Sequence, residues 1–181
     1  MTEVGYKYLK TYQLSVIIFD STYLFCERFL SEYKFKRTVE QMTQAARSMK
    51  QNIPEGYSEM SLKSYIKLLG VSRGSVVELI EDYQDFLRLR GLKIWDKNDA
   101  RVLKIRNIRV IRDINDDPNS LNTLKLPDDP ESAANFLLTL CFQESFLLNQ
   151  QIKSLEEKFI NEGGYTENLY KKRLGVKYKN D

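Results

Sequence analysis

The sequence predicts an all-α protein, an up-and-down four-helix bundle with a short helical insert and a C-terminal helical extension. Three observations carry that prediction. Four long stretches space their apolar residues three or four apart, no stretch of any length alternates apolar and polar residues as a strand does, and no internal repeat is present. Only 8 Gly and 4 Pro in 181 residues, with 42% hydrophobic and 29% charged residues, suit regular secondary structure around one core. The expected organisation is a single domain over 1–174, with the insert at 96–126 and a tail at 175–181.

Each element follows from its own pattern. Over residues 9–30, Leu14, Ile17, Ile18, Phe25 and Phe29 form one helical stripe, which Ser21 also shares. Helix two carries Val39, Met42, Ala45, Ala46, Met49 and Ile53 on a thin, Ala-rich side suited to close packing. It is expected to end near Asn52, because Pro54 disfavours helical geometry at Ile53 and Gly56 offers a terminator. Ser58 or Ser61 can cap helix three, which runs through Ile66, Leu69, Val76, Leu79, Ile80, Tyr83, Phe86 and Leu87 until Gly91 stops it.

Residues 96–114 read as a shorter helix, capped by Asp96 or Asn98, with Val102, Leu103, Ile105, Val110 and Ile111 among many bases. Two Asp-Asp-Pro triplets mark 115–130 as a loop. Asp129 as cap and Pro130 in the first turn then open the last long helix, whose apolar stripe runs from Ala133 to Phe159 and which Gly163-Gly164 ends. A coda from Thr166 to Leu174 adds a helical turn or two.

Composition narrows function. The chain has no His, which removes the commonest general base, the usual partner of a Ser or Cys nucleophile and the commonest transition-metal ligand. No catalytic residue, metal site or cofactor is expected, and the protein is read as a binding protein. Cys26 and Cys141 lie in apolar helical stretches and are read as reduced core thiols. No apolar run approaches about twenty residues, and Glu3, Lys7 and Lys10 interrupt the first ten, so the expectation is a cytoplasmic protein without membrane association. The net charge is +3, yet residues 34–112 hold 17 Lys and Arg against 9 Asp and Glu, so the middle of the chain is basic.

The stretch Gln44-Ala-Ala-Arg-Ser-Met-Lys-Gln-Asn-Ile-Pro-Glu-Gly56, followed by residues 61–69 and Val76-Val-Glu-Leu79, resembles the bacterial four-helix-bundle family of proteins encoded in intervening sequences of 23S rRNA genes. That family also includes the accessory protein of diversity-generating retroelements. Glu81-Asp-Tyr-Gln-Asp-Phe-Leu-Arg88 and Gly163-Gly-Tyr-Thr-Glu-Asn-Leu-Tyr170 look like its branch with a four-helix-bundle suffix. Lys50 departs from the family's usual Pro and Pro54 from its usual Ala. The resemblance implies a homopentameric ring, association with nucleic acid (RNA or DNA) through basic surface, and a reverse transcriptase or another protein as a further partner.

The residues themselves offer three constellations. Lys34, Lys36, Arg37, Arg47 and Lys50 around helix two, continued by Lys63, Lys67 and Arg73 on helix three, repeat cations as phosphate recognition requires. In the insert, Lys97, Arg101, Lys104 and Arg112 fall along one helical side, with Arg106 and Arg109 close by. Both sets also fit a solvated helix face, or a scaffold that docks an acidic partner protein, and these readings stay open. Glu78, Glu81, Asp82 and Asp85 share one face of helix three; without a Glu-x-x-His motif they read as ion-pair partners of Arg47, Arg88 or a neighbouring subunit. Gly70 and Gly74 read as a close-packing groove, and with the Ala-rich side of helix two they invite contact beyond one bundle.

Overall fold

A computed structural model describes residues 5–107 and 125–177. The order is a 3-10 turn at Gly5–Tyr8, α1 (Lys10–Phe29), a second 3-10 turn at Tyr33–Phe35, α2 (Lys36–Ser58), α3 (Leu62–Leu89), α4 (Ala100–Arg106), α5 (Pro130–Glu162) and α6 (Tyr165–Lys177). Helices α1, α2, α3 and α5 form the bundle, with α2 against α3, α3 against α5, and α1 against both α2 and α5. Among the described residues there is no strand, and no helix is long and apolar enough to cross a membrane. Val110, Ile111, Arg109 and Arg112, like most of the 96–126 insert, lie outside the described residues.

The predicted stripes form the core. Ile18, Phe25, Met42, Met49, Ile53, Leu69, Leu79, Tyr83, Leu87, Leu137, Leu140 and Leu148 are fully buried. Each large side chain so placed contributes about 1.5–3 kcal/mol of apolar burial. Phe25 meets Tyr83 and Phe86 edge to face at 5.2 and 4.7 Å. The Tyr83 hydroxyl, fully enclosed, shares a 2.8 Å hydrogen bond with Thr22, so its polar tip is satisfied. Small residues set the α2/α3 spacing: Ala45 and Ala46 are buried, Ser72 donates to the Met49 carbonyl at 2.8 Å, and Ser75 donates to Ser48 at 2.8 Å. Cys26 and Cys141 are buried free thiols; burial, with Asp82 adding, pushes Cys26 up to about 12.

Four details differ from expectation. Helix α2 does not stop near Asn52; it runs through Pro54 to Ser58. The extra turn buries Ile53 and sets Gly56 against Tyr65, and that packing outweighs the hydrogen bond that Pro54 cannot donate. Ser58 is therefore inside α2, and Ser61 occupies the α3 cap position without a capping hydrogen bond. The α4 cap is Asp99, accepting from the Arg101 amide at 2.9 Å, rather than Asp96 or Asn98. Gly70 and Gly74 do not form the expected close-packing groove within the bundle: a Cβ at either would meet no atom of the described residues within 4 Å. The expected caps at the other end hold, since Asp129 accepts from the Ser132 amide at 2.8 Å and Gly163 follows α5 with φ 78°.

Candidate functional site

The predicted cations do not gather into one patch. Lys34 and Lys36, where the chain enters α2, face Glu32 at 2.8 Å and Glu40 at 4.0 Å. Arg37 follows on the rim of a groove of about 1150 Å³ between α2 and α3. That groove is acidic rather than basic: Glu40, Glu78, Glu81 and Asp82 also line it. Burial first, then the charges of Glu78 and Asp85, raises the Asp82 carboxyl to about 6. The four carboxylates of α3 do not converge on a point, and no cluster suited to a metal ion occurs among the described residues. Asp85 pairs with Arg88 at 2.7 Å, while Arg47 pairs with none of them.

At the other end of the same face, Lys63 and Lys67 stand exposed on the first two turns of α3. Their helical spacing continues through Gly70 and Gly74 to Glu78, Glu81 and Asp85, so the outer stripe of α3 is basic at its start and acidic toward its end. This polarity opposes the helix macrodipole, which favours anions at the start. Helix α2 begins the same way, with Lys36 and Arg37 in its first turn and no acid there. These cations forgo a few tenths of a kcal/mol each by their position, while concentrating positive potential at helix starts.

Two predicted cations are engaged by aromatic rings of their own chain. Lys50 lies over the Phe19 ring at 3.5 Å, half-buried between α2 and α1. Arg101 stacks on Trp95 at 3.8 Å and binds Asp99 in two-pronged fashion at 3.0 and 2.7 Å, which lowers the Asp99 carboxyl to about 2. Trp95 in turn donates its amide to Asn135 at 2.8 Å and its indole N–H to Glu131 at 3.1 Å, strapping the chain after α3 onto α5. Arg101 thus secures a strap. Arg73 donates to Asn149 on α5 at 2.9 Å while staying exposed. Arg37, Arg47, Lys63, Lys67 and Lys104 are exposed with no ion-pair or hydrogen-bond partner among the described residues.

The prediction passed over two features. Glu144 is wholly buried, with neither carboxylate oxygen hydrogen-bonded among the described residues; its spacing from Cys141 and Leu148 places it on the core stripe and was the signal available. Lys171, Lys172 and Arg173 are exposed on α6, three cations in succession in what the sequence offered as a short coda.

A family model described as 23S rRNA-intervening sequence protein matches residues 7–116, which take in α1 to α4. No curated protein and no solved structure matches the chain. Helices α5 and α6 lie beyond the matched segment.

Proposed function

Because this chain belongs to the family of 23S rRNA-intervening sequence proteins, we propose that it is a non-enzymatic accessory protein that binds nucleic acid as a homo-oligomeric ring, a homopentamer. The observation that carries this reading is the set Arg37, Arg47, Lys63 and Lys67: exposed, without partners among the described residues, and partly placed where helix dipoles disfavour cations. Such cations are ready to neutralise phosphates, and each phosphate contact releases counterions. A few contacts per subunit bind weakly; repetition around a ring raises them to useful avidity. Lys50 and Arg101, engaged with aromatic rings, contribute little to this surface. The absence of His from the sequence supports binding over catalysis. RNA and DNA are both within the reading, and a reverse transcriptase is a candidate partner from the retroelement resemblance.

Replacing Arg37, Arg47, Lys63 and Lys67 together by Gln tests it. Affinity for RNA and DNA should fall alike across sequences, and the slope of log affinity against log salt should flatten by about 0.7–0.9 per lost contact. Fluorescence anisotropy measures both. A folded variant that binds as tightly as the parent would refute the assignment. A second reading, a scaffold for an acidic protein partner, is favoured by the division of the cations into separate clusters; it requires the parent to ignore nucleic acid altogether.

A further inference from the structure

Helix α6 has no place on its own bundle. It follows Gly163 at φ 78°, and Glu167 accepts from the Gly164 amide at 3.0 Å to cap it, but beyond this join it packs on no other helix among the described residues. Tyr165, Leu169 and Tyr170 are exposed beside Lys171, Lys172 and Arg173. An isolated helix of 13 residues is marginal in water, so a partner surface is called for.

The opposite chemistry lies elsewhere on the molecule. A groove of about 940 Å³ between α1 and α2 presents Tyr23, Leu24 and Tyr33, all exposed, with Asp20, Glu27 and Glu32 among them. Lys36 is the single cation lining this groove and already faces Glu40. Glu27 has no ion-pair partner among the described residues. Aromatic and acidic groove thus complements aromatic and basic helix in charge and in residue type.

The helix cannot occupy the groove of its own chain. Thr11 donates to Gln151 at 2.7 Å and Arg28 to the Pro127 carbonyl at 3.0 Å, which fixes α1 and α5 as antiparallel neighbours in known register. From Gln151, α5 extends about 16 Å to its end, whereas the groove starts at Asp20, about 14 Å from Thr11 in the other direction. The hinge at Gly163 is therefore about 30 Å from the near end of the groove, and α6, folded straight back, reaches about 20 Å.

We propose that α6 of one copy docks in the α1/α2 groove of a second copy through the face that Tyr165, Leu169, Lys172 and Arg173 share, pairing Lys172 and Arg173 with Glu27 and Glu32 and covering Tyr23, Leu24 and Tyr33 with Tyr165 and Leu169. Helix and groove sit at opposite ends of the bundle, so the contact is head to tail, the type that closes into a ring when the rotation permits. The inference rests on the self-association proposed above and supplies its contact.

Sedimentation of the full chain with two charge reversals tests it. Lys171→Glu/Lys172→Glu/Arg173→Glu and Glu27→Lys/Glu32→Lys, each alone, should raise the concentration needed for assembly by about tenfold or more. Combining both reversals in one chain should recover assembly, because reversed helix then meets reversed groove at every contact of a ring of any number; this recovery also proves that the reversals leave the chain folded. If the parent assembles and both variants assemble equally well, self-association stands and the α6 contact is overturned. If the single reversals dissociate but the combined variant does not recover, the pairing of this helix with this groove is wrong. A parent that stays monomeric refutes the ring and the contact together. If reversing α6 leaves the mass unchanged but weakens RNA or DNA binding, α6 is a nucleic-acid arm and the docking is refuted.

Discussion

The carboxyl of Glu144 lies wholly within the bundle, and among the described residues neither oxygen has a hydrogen-bond partner. Burial raises its pKa well above 4.5, so the folded protein keeps a proton that the unfolded chain releases. Above about pH 4.5 the folded state binds more protons, and stability falls as pH rises, by up to about 1.4 kcal/mol per pH unit until the folded pKa is reached. Asp82, raised from 3.8 to about 6, adds the same sign across that interval, reduced by its partial exposure to solvent. The melting temperature should therefore decline from about pH 5 to pH 7, opposite to a protein held by paired carboxylates. Glu144→Leu, of similar volume, should flatten the decline and stabilise the fold by about 1–3 kcal/mol near neutral pH. A loss of stability in that variant, measured by denaturant titration, would mean that the carboxyl has a partner in the folded protein. The residue was legible from its place on the α5 stripe. What the stripe does not reveal is whether a buried acid finds a donor, because partners come from other helices.

At the scale of elements, periodicity located the helices because burial on one face repeats every three or four residues, and it failed where a junction depends on contacts remote in sequence. Pro54 reads locally as a stop; only the position of Tyr65 shows why α2 continues past it. The glycines divide on the same principle. A Cβ at Gly56 would come within 2.6 Å of the Tyr65 ring, which is buried and accepts a 2.7 Å hydrogen bond from Gln151, so the ring has little room to move. Gly56→Ala gains up to about 1 kcal/mol of helix propensity but incurs about 1–3 kcal/mol of overpacking, so a net loss of stability is expected. Gly70→Ala and Gly74→Ala meet open space and should each stabilise the folded chain by about 0.5–1 kcal/mol. Thermal melts of the three single variants check this ordering. Stabilisation by Gly56→Ala would show that the α2/α3 junction relaxes more readily than its packing implies. The cations divide similarly: Lys50 and Arg101 look in the sequence like the other bases, and only the folded positions of Phe19 and Trp95 separate them from Lys63 and Lys67.

For the whole molecule, charge is segregated by face and by end. The α2/α3 groove and the α1/α2 groove are both acidic, while free cations stand at the start of α3, on α4 and on α6. A single copy offers nucleic acid only a few cations at a time, so binding strength should depend on the number of copies presented together. The groove variant Glu27→Lys/Glu32→Lys separates the two contributions. It adds positive charge to each chain, which by itself favours phosphate binding, yet it should prevent head-to-tail assembly. If affinity comes from a ring, this more basic variant should bind a long RNA or DNA about 10²–10⁴-fold more weakly than the parent, with a shallower salt dependence. On a short oligonucleotide that spans one subunit, it should bind at least as well as the parent. Anisotropy titrations on the two lengths, at two salt concentrations, make the comparison. Equal or tighter binding of the long ligand by a variant that sedimentation finds monomeric would show that one subunit carries the whole interface, and that assembly serves some other purpose.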